Sequence, residues 1–81
     1  MARESYEVYY FQNGRWSVHA TFEGNEREQA LEEAHKVEKQ IGVAVRLVRE
    51  TFYPETNSVE EVVAWQSAKA KQMGEIGRAH V

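Results

Sequence analysis

Two segments near the start of the chain have the residue patterns of β-strands: the first is rich in aromatic and β-branched residues, and the second alternates apolar and polar residues with the period 2 of a half-buried strand. They cover residues 5–12 and 15–22, with Asn13-Gly14 between them. Asn-Gly accepts the positive φ angles of a type I′ turn, which closes a two-residue β-hairpin. The turn predicts a register that pairs Phe11 with Trp16 and Tyr9 with Val18. A simple alternation then divides the hairpin into two faces that both carry large side chains.

The following segment has the spacing of a helix that buries one stripe. Its apolar residues are Ala30, Leu31, Ala34, Val37 and Ile41, which recur every three or four positions. We predict a helix over residues 26–41, capped by Asn25 and ended by Gly42. Residues 43–53 are rich in β-branched side chains and predict a third strand. A strand-helix-strand connection lays this helix across one face of the sheet.

The segment after Tyr53 is open to two interpretations. Residues 54–57, Pro-Glu-Thr-Asn, are typical of a four-residue hairpin loop, and the valines that follow favour a fourth strand over residues 58–65. Alternatively, Ser58 and Glu61 form a capping box, which would begin a helix at Val59 and give the order ββαβα. We favour the strand.

These elements predict a small two-layer α+β domain of order ββαββ over residues 1–66. One antiparallel-rich sheet carries a single helix on one face, and residues 67–74 form a helical tail or linker. The side chains expected between helix and sheet, or in a structural role, are Phe11, Trp16, Val18, Phe22, Leu31, Ala34, Val37, Val45 and Leu47.

The last seven residues, Glu75 to Val81, resemble the translation of a widely used short-read sequencing adapter. We therefore expect residues 75–81 to be an artefact of metagenomic sequence assembly. On this interpretation, the chain is an N-terminal fragment of a longer protein that continues beyond Gly74. Neither Arg78 nor His80 would then have a function.

Composition removes several functional classes. The chain has 81 residues, no cysteine, 10 Lys plus Arg and 13 Asp plus Glu, for a net charge of −3. Disulfide scaffolds, thiolate metal sites and cysteine nucleophiles are excluded. The histidines and serines form no catalytic or ligand motif, and the glycines form no phosphate loop. We expect a soluble, cytoplasmic, non-catalytic protein with neither cofactor nor metal and no membrane association.

The predicted function depends on the sheet face opposite the helix. The alternation places an aromatic and aliphatic surface there, and contiguous apolar patches of this kind mark interaction sites. Its predicted contact residues are Tyr6, Val8, Tyr10, Val48, Phe52, Val63 and Trp65. We expect a protein-interaction or assembly module that forms a homodimer or binds another protein.

Two other interpretations of this surface remain. Aromatic sheet faces also stack single-stranded nucleic acid, and Arg15, His19 and Arg46 would then contact the ligand. The acidic net charge makes this alternative weaker, because basic residues supply most nucleic-acid affinity. Finally, the C-terminal segment would hide the surface completely if it folded back over it as a helix.

Overall fold

The computed structural model describes residues 1–78, which form one four-stranded sheet and two helices. Their bounds are β1 (Arg3–Gln12), β2 (Arg15–Glu23), α1 (Arg27–Ile41), β3 (Val45–Tyr53), β4 (Ser58–Gln66) and α2 (Ala68–Arg78). The strand order is β2-β1-β3-β4, and every neighbouring pair is antiparallel. The predicted ββαββ order is confirmed, followed by a short C-terminal helix. The alternative with a helix in place of the fourth strand is wrong.

The two hairpin turns have the backbone geometry that their residues favour. Asn13 and Gly14 have φ angles of 58° and 80°, the positive values of a type I′ turn. Asn57 has a φ of 54° at the end of the second loop, where asparagine tolerates the left-handed region. Each turn therefore sets the pairing of the strands it joins, Gln12 with Arg15 and Tyr53 with Ser58.

The predicted Asn25 cap of helix α1 is wrong, whereas the predicted end of the helix at Gly42 is found. The N-cap is Glu26, which makes no side-chain capping bond; its carboxylate accepts a hydrogen bond from the Glu23 N–H at 2.8 Å instead. Gly42 closes the helix as predicted, with a φ of 73° and its N–H donating to the Glu38 carbonyl.

The core lies between α1 and one face of the sheet. Tyr6 and Val8 of β1 and Val45 and Leu47 of β3 are buried against the small-residue stripe of α1. Alanines on this stripe, Ala30 and Ala34, are completely buried, and small side chains allow a helix to approach a sheet closely. The other face of the sheet lies away from α1.

Two irregularities in strand pairing decide which side chains reach each face. Val8 pairs with Ala20 but Tyr9 pairs with Val18, so β2 has one extra residue, His19. Likewise, Leu47 pairs with Trp65 but Val48 pairs with Val63, so β4 has the extra residue Ala64. An extra residue in one strand reverses the alternation beyond it.

Helix α2 is joined to the sheet through Ser67. The buried Ser67 hydroxyl accepts hydrogen bonds from the Val45 N–H at 3.0 Å and from the Ala70 N–H at 3.2 Å. The Ser67 hydroxyl therefore caps the N-terminus of α2 and also provides the acceptor for the first backbone N–H of β3. Within residues 1–78, neither helix has the length and apolar run that crossing a bilayer requires. Residues 79–81 of the predicted adapter-derived segment lie outside the described residues.

Candidate functional site

The sheet face turned away from α1, here called the open face, carries a cluster of large apolar side chains. They come from all four strands: Trp16 and Val18 of β2, Tyr9 and Phe11 of β1, Val48 of β3 and Val63 of β4. Val18 and Val63 are 48% and 47% exposed. The described residues therefore do not bury this face, and the alternative in which a C-terminal helix covers it is not found among them.

The centre of the open face is a shallow depression lined by Tyr9, Trp16, Val48, Val63 and two charged residues, Arg46 and Glu61. The Arg46 guanidinium lies 4.5 Å from the centroid of the Trp16 ring, and its Nε donates to Gln66 Oε1 at 3.2 Å. The Trp16 ring also contacts Phe11, and the two ring centroids are 5.4 Å apart in an edge-to-face arrangement.

Three carboxylates adjoin this apolar cluster. Glu7, Glu50 and Glu61 come from three neighbouring strands, and one oxygen of each lies within 4.8 Å of the others. Desolvation raises the pKa of Glu50, and the negative charges of Glu7 and Glu61 raise it further. Desolvation, followed by the nearby Glu7 carboxylate, also raises the pKa of Tyr9 to about 12, and the Tyr9 hydroxyl donates to Glu7 Oε1 at 3.2 Å.

Carboxylate oxygens are the ligands that hard cations prefer, so these glutamates are candidate ligands for a metal ion. Ca²⁺ takes about six to eight oxygen ligands, whereas this cluster offers three side chains on an open surface. The cluster alone therefore defines no metal centre. Its chemical consequence is a local negative charge beside the apolar cluster.

Four of the seven predicted contact residues lie on the covered side of the sheet. Tyr6 and Val8 are buried in the core, and Tyr10 and Trp65 pack against it. The Trp65 ring lies 4.5 Å from the ring of His35 on α1, measured between centroids. Their predicted placement on the open face is wrong.

The error has a structural cause in β1 and in both irregular pairings. Residues of β1 are large and apolar on both faces, so alternation could not show which face the helix covers. The extra residue His19 separates Phe22, which packs on the core, from Trp16, which the simple alternation placed beside it. The extra residue Ala64 likewise moves Trp65 to the helix side.

The other three predicted contact residues lie on the expected side. The register pairs Val48 with Val63 and Phe52 with Val59, as the four-residue loop predicts, and places these side chains on the open face. Val48 is mostly buried, whereas Val63 is 47% exposed. The fourth strand therefore extends the apolar surface to the edge of the sheet.

The residues suggested for nucleic-acid contact do not form one group. Arg15 is exposed beside the first turn, and Arg46 lies on the open face. His19 lies on the helix side, where its Nε2 is 2.8 Å from Glu33 Oε2 of α1. The prediction that His19 accompanies the open-face residues is therefore wrong.

From the sequence we predict structural roles for Phe11, Trp16 and Val18, with Trp16 and Val18 beneath the helix. Together with Tyr9, these residues form the apolar half of the open face instead. The sequence does carry one signal for this group: the register set by the Asn13-Gly14 turn correctly places these four side chains together on one face. The acidic cluster was missed because Glu7, Glu50 and Glu61 are far apart in sequence and meet only across β1, β3 and β4.

The fold and the open face define a two-layer α+β domain with an exposed, partly acidic aromatic sheet surface. Comparisons of the chain with protein-family models, with curated proteins and with solved structures find no match.

Proposed function

We propose that this domain is a non-catalytic interaction or assembly module whose contact surface is the open face. The observation that supports the proposal is the exposure of Val18 and Val63 beside Trp16 and Tyr9 on one continuous sheet surface. Removing apolar surface from water is favourable by about 25 cal/mol per Å². Burial of this face in a contact therefore contributes favourable free energy to association.

The contacts that hold the side chains of the open face also support an interaction role. Its side chains project from paired strands, and Trp16 is held between Phe11 and Arg46. A preformed surface loses little conformational entropy on binding. Aromatic residues and arginine are also the residue types enriched at the centres of protein interfaces.

The acidic cluster favours a protein contact over the nucleic-acid alternative. A nucleic-acid backbone would bring phosphates toward Glu7, Glu50 and Glu61, and Arg46 is the cation closest to the apolar depression. Phosphate neutralisation by basic residues supplies most of the affinity for nucleic acid. We therefore expect no binding of a short single-stranded oligouridine in fluorescence anisotropy at low salt; salt-dependent binding abolished by Arg46→Glu would favour the alternative function.

Two adjacent valines of β4 give a matched test of the proposed contact surface. Val63 lies on the open face and Val62 on the opposite side, with exposures of 47% and 42%. In sedimentation velocity over roughly a 100-fold range of concentration, the unmodified protein and Val62→Ser should associate as concentration rises. Val63→Ser should remain monomeric. A monomeric unmodified protein, or equal association of the two variants, would contradict the proposal.

A further inference from the structure

The open face combines its apolar side chains with an excess of negative charge. Its carboxylates come from all four strands: Glu23 of β2, Glu7 of β1, Glu50 of β3 and Glu61 of β4. Ser5 pairs with both Glu23 and Glu50, and Glu50 pairs with Glu61, so these three glutamates lie in one row across the sheet. Glu7 is two residues further along β1, toward the apolar cluster. A band of negative charge therefore borders the apolar side chains.

This negative charge is not neutralised from within the domain. No lysine or arginine in the part of the chain that the structure describes forms an ion pair with a glutamate of the acidic cluster. The two arginines of the open face lie elsewhere: Arg46 contacts Trp16 and Gln66, and Arg3 borders a separate hollow beside Phe52. The open face is therefore complementary to a partner that supplies positive charge.

The same charge makes a second copy of the chain a poor match for this face. Glu7 pairs with Val48 near the centre of the sheet, so a two-fold axis there would bring the acidic clusters of two copies together. Like charges placed opposite one another cost free energy in an interface. Self-association through the apolar side chains should therefore be weak, and a cationic partner fits the face better.

The arrangement of the carboxylates fits the ammonium group of a lysine. One oxygen each of Glu7, Glu50 and Glu61 lies within 4.8 Å of the others, and a point equidistant from three oxygens at this spacing is about 2.8 Å from each. This is the length of a charged N–H···O hydrogen bond, and an ammonium has three donors and no acceptor. One lysine can therefore donate to all three carboxylates, whereas the planar arginine fork matches a single carboxylate.

The apolar depression lies one side-chain repeat away from the acidic cluster. Val48 lines the depression and Glu50 belongs to the cluster, and these alternate residues of β3 are about 6.6 Å apart along the strand. An extended partner segment has the same repeat between its residues i and i+2. Such a segment, aligned with β3, can place an apolar side chain in the depression and the next alternate side chain over the carboxylates.

We propose that the open face binds an extended segment of another protein, in which alternate apolar residues contact the depression beside Trp16 and the next alternate residue is a lysine held by the acidic cluster. This inference rests on the proposed function and adds the chemistry of the partner. Burial of the apolar residues contributes to affinity, and the complementary charge selects the partner.

A matched pair of peptides tests the proposed partner. The probe is acetyl-Leu-Ser-Leu-Ser-Lys-Ser-amide, and its control carries Nε-acetyl-lysine in place of lysine, which removes the positive charge. Each peptide is titrated at low salt to about 10 mM, since a few exposed contacts give affinities near the millimolar range. In ¹⁵N–¹H correlation spectra of the monomer, the Trp16 indole N–H signal should shift with the lysine peptide, while that of Trp65 stays in place. The acetylated peptide should bind about threefold more weakly.

Two adjacent glutamates of β4 locate the charge contact. Glu61 belongs to the acidic cluster, whereas Glu60 lies on the opposite side of the sheet, where it pairs with the buried Thr51. Glu61→Gln should reduce the preference for the lysine peptide to less than about twofold, and Glu60→Gln should retain it. Circular dichroism of both variants checks that they are folded.

The outcomes separate this inference from the proposed function. If the unmodified protein self-associates through Val63, but neither peptide shifts Trp16 or both bind equally, the lysine-bearing partner is wrong and the contact surface stands. If Glu60→Gln lowers the preference as much as Glu61→Gln does, the lysine does not bind at the acidic cluster, and the inference is also wrong. A protein that stays monomeric and responds to neither peptide contradicts both proposals.

Discussion

Arg46 lies over the indole ring of Trp16, with 4.5 Å between the guanidinium carbon and the ring centroid. The two residues belong to β3 and β2, so the contact crosses the intervening strand β1. It keeps a long, flexible cation flat against the sheet. The open face therefore presents its positive charge at a defined place.

The energy of this contact can be measured with a double-mutant cycle. A cation–π contact at an exposed site contributes about 0.5–1 kcal/mol. Arg46→Gln and Trp16→Leu should therefore show a coupling free energy of this size in urea unfolding, at concentrations where the chain is monomeric. The control cycle combines Arg46→Gln with Trp65→Leu on the opposite face and should show almost no coupling. Equal coupling in both cycles would contradict the contact.

The acidic cluster predicts an unusual pH dependence at Glu50. Because its pKa is raised in the folded protein, the folded state holds this proton more strongly than the unfolded state does. The stability that Glu50 contributes is present below its unfolded pKa and is lost as pH rises through the folded pKa. Glu50→Gln should therefore raise the urea midpoint at pH 7, and its advantage should shrink as pH falls toward the ordinary glutamate pKa of about 4.3.

Urea titrations of the monomer between these pH values provide the measurement for Glu50. Glu32→Gln, at an exposed position on α1, is the control and should not increase stability at pH 7. A Glu50→Gln variant that is less stable than the unmodified protein at pH 7 would show that the cluster is not repulsive.

Ser67 should be the most important hydroxyl for stability. Ser67→Ala removes the cap of α2 and leaves the Val45 N–H without its acceptor, and an unsatisfied buried donor costs about 1–3 kcal/mol. We expect a loss of this size in unfolding free energy, together with a smaller helical signal in circular dichroism. Ser58→Ala, which changes an exposed hydroxyl, should stay within about 0.5 kcal/mol of the unmodified protein.

The fold was predictable because its turns and its helix have local signals. Asn13-Gly14 specifies the first hairpin, and the Pro54–Asn57 loop specifies the second with the correct pairing of Val48 and Val63. The stripe through Ala30 and Val37 identifies the buried side of α1. Each of these signals acts within a few residues, so no knowledge of the tertiary structure was needed.

The side-chain composition of the open face was only partly predictable. The extra residues His19 and Ala64 reverse the alternation in β2 and β4, and no local signal marks either of them. In β1, Tyr6 and Tyr9 are equally suitable for the core, so the covered face depends on how the helix packs. The acidic cluster depends on strand order, which brings distant glutamates together.

The most direct test of the central claim uses the two tryptophans of the chain, one on each side of the sheet. Trp16 lies on the open face, and Trp65 lies on the helix side beside His35. In a concentration series of ¹⁵N–¹H correlation spectra, the indole N–H signal of Trp16 should shift progressively while that of Trp65 stays in place. A shift confined to Trp65, or no shift of either signal at any concentration, would contradict association through the open face.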